Sequence, residues 1–160
     1  MIVCGIDPGI TGALAVVNED HDCETVEMPT AGVGKHRAVD GAGIARFMAE
    51  RDVEFAIVEL VHSMPRQGVA STFKFGTAYG TVLGTLHACC MPYRLVTPAK
   101  WKKDMMLSSD KRLSLEMATR RLPRAALQFA RVKDHGRAEA ALLALWWLEN
   151  GNRFDARRAA

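Results

Sequence analysis

The stretch that most constrains this chain is its start, Ile2-Val3-Cys4-Gly5-Ile6-Asp7-Pro8-Gly9-Ile10-Thr11-Gly12, which leads into Ala13-Leu14-Ala15-Val16-Val17. An apolar, β-branched run that meets a lone acid and is then broken by Pro-Gly and Gly reads as a buried strand. It delivers one carboxylate to the mouth of a hairpin. Asp7 alone has two readings, an Asx-type turn that caps its own backbone or a member of a site. Two further segments favour the site. Phe55-Ala56-Ile57-Val58-Glu59 is another apolar run ending in an acid, and Asp134-His135-Gly136-Arg137-Ala138-Glu139 opens a Leu/Ala-rich helix with acids in its first turns. Carboxylates gathered from three segments repel one another unless cations neutralise them, so such a cluster implies a bound hard divalent metal.

These segments together resemble the RuvC-type Holliday-junction resolvases of the ribonuclease H-like superfamily: Gly-Ile-Asp-Pro-Gly-Ile-Thr-Gly-Ala, then Val58-Glu59, then Arg-Ala-Glu-Ala before a Leu/Ala helix. They fall in that family's order and at roughly its spacing, from Ile2 to about Leu148. The resemblance implies an α/β, ribonuclease H-like fold with a central mixed five-stranded sheet flanked by helices. It also implies a homodimeric, Mg²⁺-dependent endonuclease on branched DNA, with Mn²⁺ as a substitute. Asp7, Glu59, Asp134 and Glu139 become the expected metal ligands. Lys100 and Lys111 resemble the two lysines that such enzymes place near the scissile phosphate. His135 is expected close enough to orient water.

Length and composition agree with one nuclease domain over residues 1–150 and a basic tail over 151–160. The net charge of +3 hides a division. Residues 1–60 hold 4 Lys/Arg against 11 Asp/Glu, net −7, whereas residues 61–160 hold 17 against 7, net +10. A polyanion is expected on the basic part. Four cysteines without Cys-x-x-Cys spacing fit reduced thiols in a cytoplasmic protein rather than a zinc site or a disulfide framework. No stretch approaches the ~20 apolar residues of a membrane span.

Along the chain, Cys23 to Met28 reads as a third strand completing a meander, and Pro29 to Val39 as loop. Gly41 to Arg51 reads as an amphipathic helix with Ile44, Phe47 and Met48 inward. The loop after Glu59 carries Arg66. The long helix Ser71 to Cys90 carries Phe73, Lys74 and Phe75, and repeats Gly76, Gly80 and Gly84 along one face. That face suits either packing within the chain or a dimer seam. Tyr93 to Val96 is a strand; Thr97-Pro98 caps a short helix, and Asp110 opens another that Pro123 stops. Between them Lys100, Trp101, Lys102, Lys103, Lys111 and Arg112 interleave cations with an aromatic. Arg66, Phe73, Lys74, Phe75, Lys102, Lys103 and Arg112 are therefore the expected DNA contacts. Family members wedge an aromatic into the junction three residues after the catalytic Glu. Here that position is His62, which leaves Phe73 and Phe75 as candidates.

Helix geometry bears on the last acids. At about 100° per residue, Asp134 and Glu139 lie some 140° apart, so both face one metal only if Asp134 precedes the helix proper. His135 and Glu139, four apart, share a face if the helix starts early. Gly136 favours the first arrangement. A rival reading from another class is an actin- or sugar-kinase-like nucleotide-binding protein, whose first phosphate loop resembles Asp-Pro-Gly-Ile-Thr-Gly; flapped or other branched DNA is a rival substrate. The sequence does not reveal junction sequence preference or any accessory helicase.

Overall fold

The computed structural model describes residues 1–62, 68–108 and 110–156. Strands β1 (Ile2–Asp7) and β2 (Ala13–Asn18) form the expected antiparallel hairpin, with Asp7 opposite Ala13, and β3 (Cys23–Glu27) extends it to a meander. The segment expected as loop contains two short strands, β4 (Thr30–Ala31) and β5 (Ala38–Val39), paired as a small separate sheet. Helix α1 (Gly41–Ala49) starts where the Asp40 carboxylate accepts from the Ala42 amide, and it buries Ile44, Phe47 and Met48.

Strand β6 (Phe55–Glu59) then runs parallel to β1, and β7 (Tyr93–Val96) parallel to β6. The mixed five-stranded sheet has the order β3-β2-β1-β6-β7. Because β1 and β6 are parallel, with Ile6 beside Val58, both terminal acids arrive at one edge of the sheet.

Helices cover both faces. Helix α2 (Val69–Ala88) and α1 pack on the side of Cys4, Ile6, Ala56 and Val58. The other side, with Val3 and Ile57, takes α3 (Pro98–Asp104), α4 (Lys111–Arg121) and α5 (His135–Ala156). Strand alternation therefore aims Val3, Gly5 and Asp7, and likewise Phe55, Ile57 and Glu59, at the α5 side. Gly5 is the point of closest approach: a Cβ there would lie 2.0 Å from the Ala140 carbonyl oxygen and 2.9 Å from the Ala144 amide nitrogen. Trp101, Trp146 and Trp147 are buried on this side, and Trp147 stacks on Phe55 with ring centroids 4.6 Å apart.

Two expectations change. Helix α5 continues to Ala156, so the stretch read as tail from residue 151 is helical through its described part. The glycine face of α2 does not serve packing within the described residues, because a Cβ at Gly76, Gly80 or Gly84 meets nothing within 4 Å. Among the described residues, no helix is long and apolar enough to cross a membrane.

Candidate active site

The turn after β1 is held tightly enough to fix Asp7. Gly12 donates to the Gly9 carbonyl at 3.1 Å, and a Cβ on Gly12 would sit 2.0 Å from the Asp7 carbonyl oxygen, so only glycine closes this turn. Asp7 looks into a cleft of about 340 Å³ lined also by Thr11, Lys74, Phe75, Lys111, His135 and Glu139. Burial pushes its carboxyl up to about 8, and the neighbouring Glu59 and Glu139 carboxylates push the same way, against Lys102 and Lys111. Glu59 is also raised, chiefly by burial. Its Oε1 accepts from the Trp101 indole N–H at 2.9 Å, which opposes that shift and fixes the carboxylate.

Glu139 Oε1 accepts from Lys102 Nζ at 2.8 Å and from the Ser114 hydroxyl at 3.3 Å. Lys111 Nζ lies 2.7 Å from His135 Nε2. An ammonium only donates, so Nε2 accepts and the imidazole proton sits on Nδ1. That atom is buried without a partner among the described residues. Burial and the cations Lys111 and Lys102 hold His135 below the usual imidazole range, against the pull of Glu139.

Two expected site residues, Asp134 and Lys100, are held by partners of their own; Glu59 too is absent from the cleft lining, but it ends β6 beside β1. Asp134 is buried, but its carboxylate accepts from the Arg131 amide at 3.0 Å and from the Arg131 guanidinium at 3.0 and 2.8 Å. Arg131 holds it below the usual carboxylate range, and it is absent from the cleft lining. The acid three residues after Arg131 closes back on the start of the short 3-10 turn Val132–Asp134, a capping role that displaces its expected role as ligand. Helix α5 begins at His135, so Asp134 does precede the helix proper, while His135 and Glu139 share one face of it in the cleft. Gly136 sits close to the site: a Cβ there would make ordinary contact with Asp7 Oδ2 and the Thr11 carbonyl oxygen, each at 3.4 Å.

Lys100 is the second correction. Its ammonium pairs with Asp104 one turn along α3, and Asp104 also accepts from the Trp146 indole N–H at 3.0 Å. Lys102, placed by sequence among the DNA contacts, is the α3 cation at the carboxylates. Residues 100 and 102 lie about 200° apart on a helix, so α3 can present only one of them. The signal that separates them is the Lys-x-x-x-Asp pair, which gives Lys100 a partner of its own. Trp101, the aromatic of the basic stretch in the sequence, is buried as the Glu59 donor, and Ser114 carries no functional signal in the sequence. Of the other expected DNA contacts, Lys74 and Phe75 line the cleft, Phe73 stands beside it 75% exposed, and Lys103, in the last turn of α3, lines a separate cavity. Arg112 pairs with Asp110. Arg66 lies outside the described residues.

The donor set suits a hard divalent cation. Asp7, Glu59 and Glu139 offer only oxygen, and although burial is the main cause of the raised Asp7 carboxyl, both neighbouring carboxylates add to it, a repulsion that a cation relieves. As they stand, no three His, Cys, Asp or Glu side chains among the described residues converge in ligand geometry; the Lys102 ammonium holds Glu139 instead.

No family model matches the chain, and no curated protein matches it. Solved structures do. Thermus thermophilus RuvC in complex with a Holliday junction substrate aligns at TM-score 0.68 and 23% identity, over 100% of this chain and 97% of that one. A second Thermus thermophilus RuvC structure gives 0.60 and 20%, over 94% and 97%. The yeast mitochondrial Holliday junction resolvase gives 0.55 and 14%, over 91% of this chain and 78% of its own. With its β3-β2-β1-β6-β7 sheet and its acids at the shared edge of β1 and β6, the chain has the ribonuclease H-like fold of the RuvC resolvases.

Proposed function

We propose that this protein is a metal-dependent endonuclease that cuts branched DNA, resolving four-way junctions by paired phosphodiester hydrolysis. The observation that carries the reading is geometric: Asp7 and Glu59 end the neighbouring parallel strands β1 and β6, Glu139 and Lys111 share the cleft with Asp7, and Lys102 pairs with Glu139. The nucleotide-binding alternative is not favoured, since the structural relatives are junction resolvases. Asp7, Glu59 and Glu139 would hold the metal, with His135 beside them; Mg²⁺ is the expected ion and Mn²⁺ a substitute. Bound there, divalent ions supply the charge that activates an attacking water and stabilises the leaving oxygen.

The chain's own groups do the rest. Trp101 fixes one Glu59 oxygen, so the carboxylate meets its ligand already oriented. Lys102 and Lys111 place positive charge where the phosphate gains negative charge, an effect strengthened in a partly dry cleft. Phe73, exposed at the start of α2 next to the cleft, offers an unstacked base a surface that His62 does not. Two cuts need two clefts, and the open glycine face of α2 supports a homodimer seam, where a second backbone can approach closely. Free thiols throughout are consistent with a cytoplasmic protein.

The test is incubation with end-labelled four-way, flapped, single-stranded and duplex DNA in Mg²⁺, Mn²⁺ or EDTA. Cleavage of the four-way substrate with either metal, and none in EDTA or with Asp7→Asn, is the expected outcome. Metal-independent cutting, or cutting retained by Asp7→Asn, overturns it.

A further inference from the structure

The turn between β1 and β2 has two sides, and only one faces the carboxylates. On the other lies a second cavity of about 230 Å³, which shares Ile10, Thr11 and Gly12 with the active-site cleft. Arg37, Lys133 and Arg137 line it, against the single carboxylate of Glu27. These cations come from three separate places in the sequence: the β4–β5 hairpin, the turn before α5, and the first turn of α5. None was among the DNA contacts expected from the sequence.

Three details distinguish this from scattered surface charge. The Arg37 Nε donates to the Thr30 hydroxyl at 2.9 Å, which fixes the guanidinium over the cavity rather than leaving it free in solvent. Arg137 reaches Glu27 only at 3.5 Å, and its Nε is buried without a hydrogen-bond partner among the described residues. A buried guanidinium N–H without an acceptor is costly, and an anionic oxygen is the acceptor that answers it best. Gly136 lines the cavity between His135 in the cleft and Arg137, which makes the two sites adjacent along the start of α5.

We propose that this cavity is a backbone-phosphate site, holding a phosphodiester of the same DNA strand beyond the one positioned for cutting. The inference rests on the branched-DNA reading and deepens it. Arg37, Lys133 and Arg137 clamp the strand on the far side of the turn, while Lys102 and Lys111 act on the reacting phosphate. Glu27 limits the strength of the clamp, so its removal should tighten binding.

The experiment measures binding of a fluorescent four-way junction by anisotropy in EDTA across a salt series, alongside single-turnover cleavage in Mg²⁺ at saturating protein. A cation that no longer neutralises its phosphate reduces the slope of log K against log salt by roughly 0.9. The double variant Arg37→Ala/Lys133→Ala should therefore lower the slope by about 2, and adding Arg137→Gln should bring the fall to nearly 3. Arg37 and Lys133 are exposed, so the double variant carries the test even if Arg137→Gln does not fold. Arg46→Ala, on the exposed face of α1, controls for net charge and should leave the slope unchanged. Glu27→Gln should tighten binding. An unchanged slope in the double variant, in a protein whose wild type binds and cuts the junction, overturns the phosphate site alone. Absence of junction binding and cutting in wild type overturns the nuclease reading itself.

Discussion

Gly5→Ala is the substitution that ties fold and site together most tightly. The added Cβ would stand 2.0 Å from the Ala140 carbonyl oxygen and 2.9 Å from the Ala144 amide nitrogen, both backbone atoms of α5. No rotamer change relieves a clash with backbone. Ordinary contact begins near 3.4 Å, so α5 must retreat from β1 by roughly 1.4 Å in an interior packed as densely as a crystal. Overpacking of this kind costs about 3 kcal/mol or more, against which the entropic gain of replacing a strand glycine, under ~1 kcal/mol, is small. Asp7 rides on β1 and His135 with Glu139 on α5, so the same retreat opens the site. A displacement of about 1 Å at a reacting centre costs on the order of a hundredfold in rate. Urea denaturation should show the midpoint falling with the slope unchanged. Metal-dependent cleavage, measured where the variant remains folded, should fall by about that hundredfold. Wild-type stability and rate in Gly5→Ala would refute the close approach of α5 to β1.

Further outcomes follow from single contacts. Trp101→Phe removes the indole donor to Glu59 while keeping most of the buried ring, and should slow cleavage about tenfold and weaken Mg²⁺ affinity, measured by metal titration of the rate. Lys102→Met should lower the single-turnover rate by roughly a hundredfold, whereas Lys100→Met should cost only about 0.5 kcal/mol of stability in the same preparations. Asp134→Ala should lose about 1 to 2 kcal/mol in urea denaturation by removing the cap, with a rate change far smaller than Asp7→Asn gives. Burial pushes Cys4 and Cys23 up to about 12, while Cys89 and Cys90 are exposed. A chromogenic disulfide reagent at pH 8 should therefore titrate two thiols in the native protein and four in urea.

Asp7 and Glu59 were legible because a buried strand ending in an acid is a local pattern, and parallel pairing of β1 with β6 brings both ends to one edge. The choice between Lys100 and Lys102 was legible only in part: the Lys-x-x-x-Asp spacing gives Lys100 a local partner, but which side of α3 faces the carboxylates is settled only once Trp101 is buried, a tertiary fact. Asp134 illustrates a competition the sequence leaves open: the same acid can cap or ligate, and Arg131 three residues earlier decides for the cap. The start of α5 at His135 follows from that cap and puts His135 in the cleft. Gly136, read as a helix-weakening residue, lies inside the first turn of α5 without stopping it. The β4–β5 pair escaped notice because two-residue strands have no periodicity to read.

The central claim, metal-dependent paired cutting from the Asp7 cluster, is tested most directly on a supercoiled plasmid that extrudes a cruciform. In Mg²⁺ the wild type should convert it to linear product, with nicked circles only transient, because the proposed dimer would cut both strands within one encounter. Asp7→Asn should bind the cruciform and leave it supercoiled. Linear product from Asp7→Asn, or no cutting by wild type in Mg²⁺ or Mn²⁺, would contradict the account.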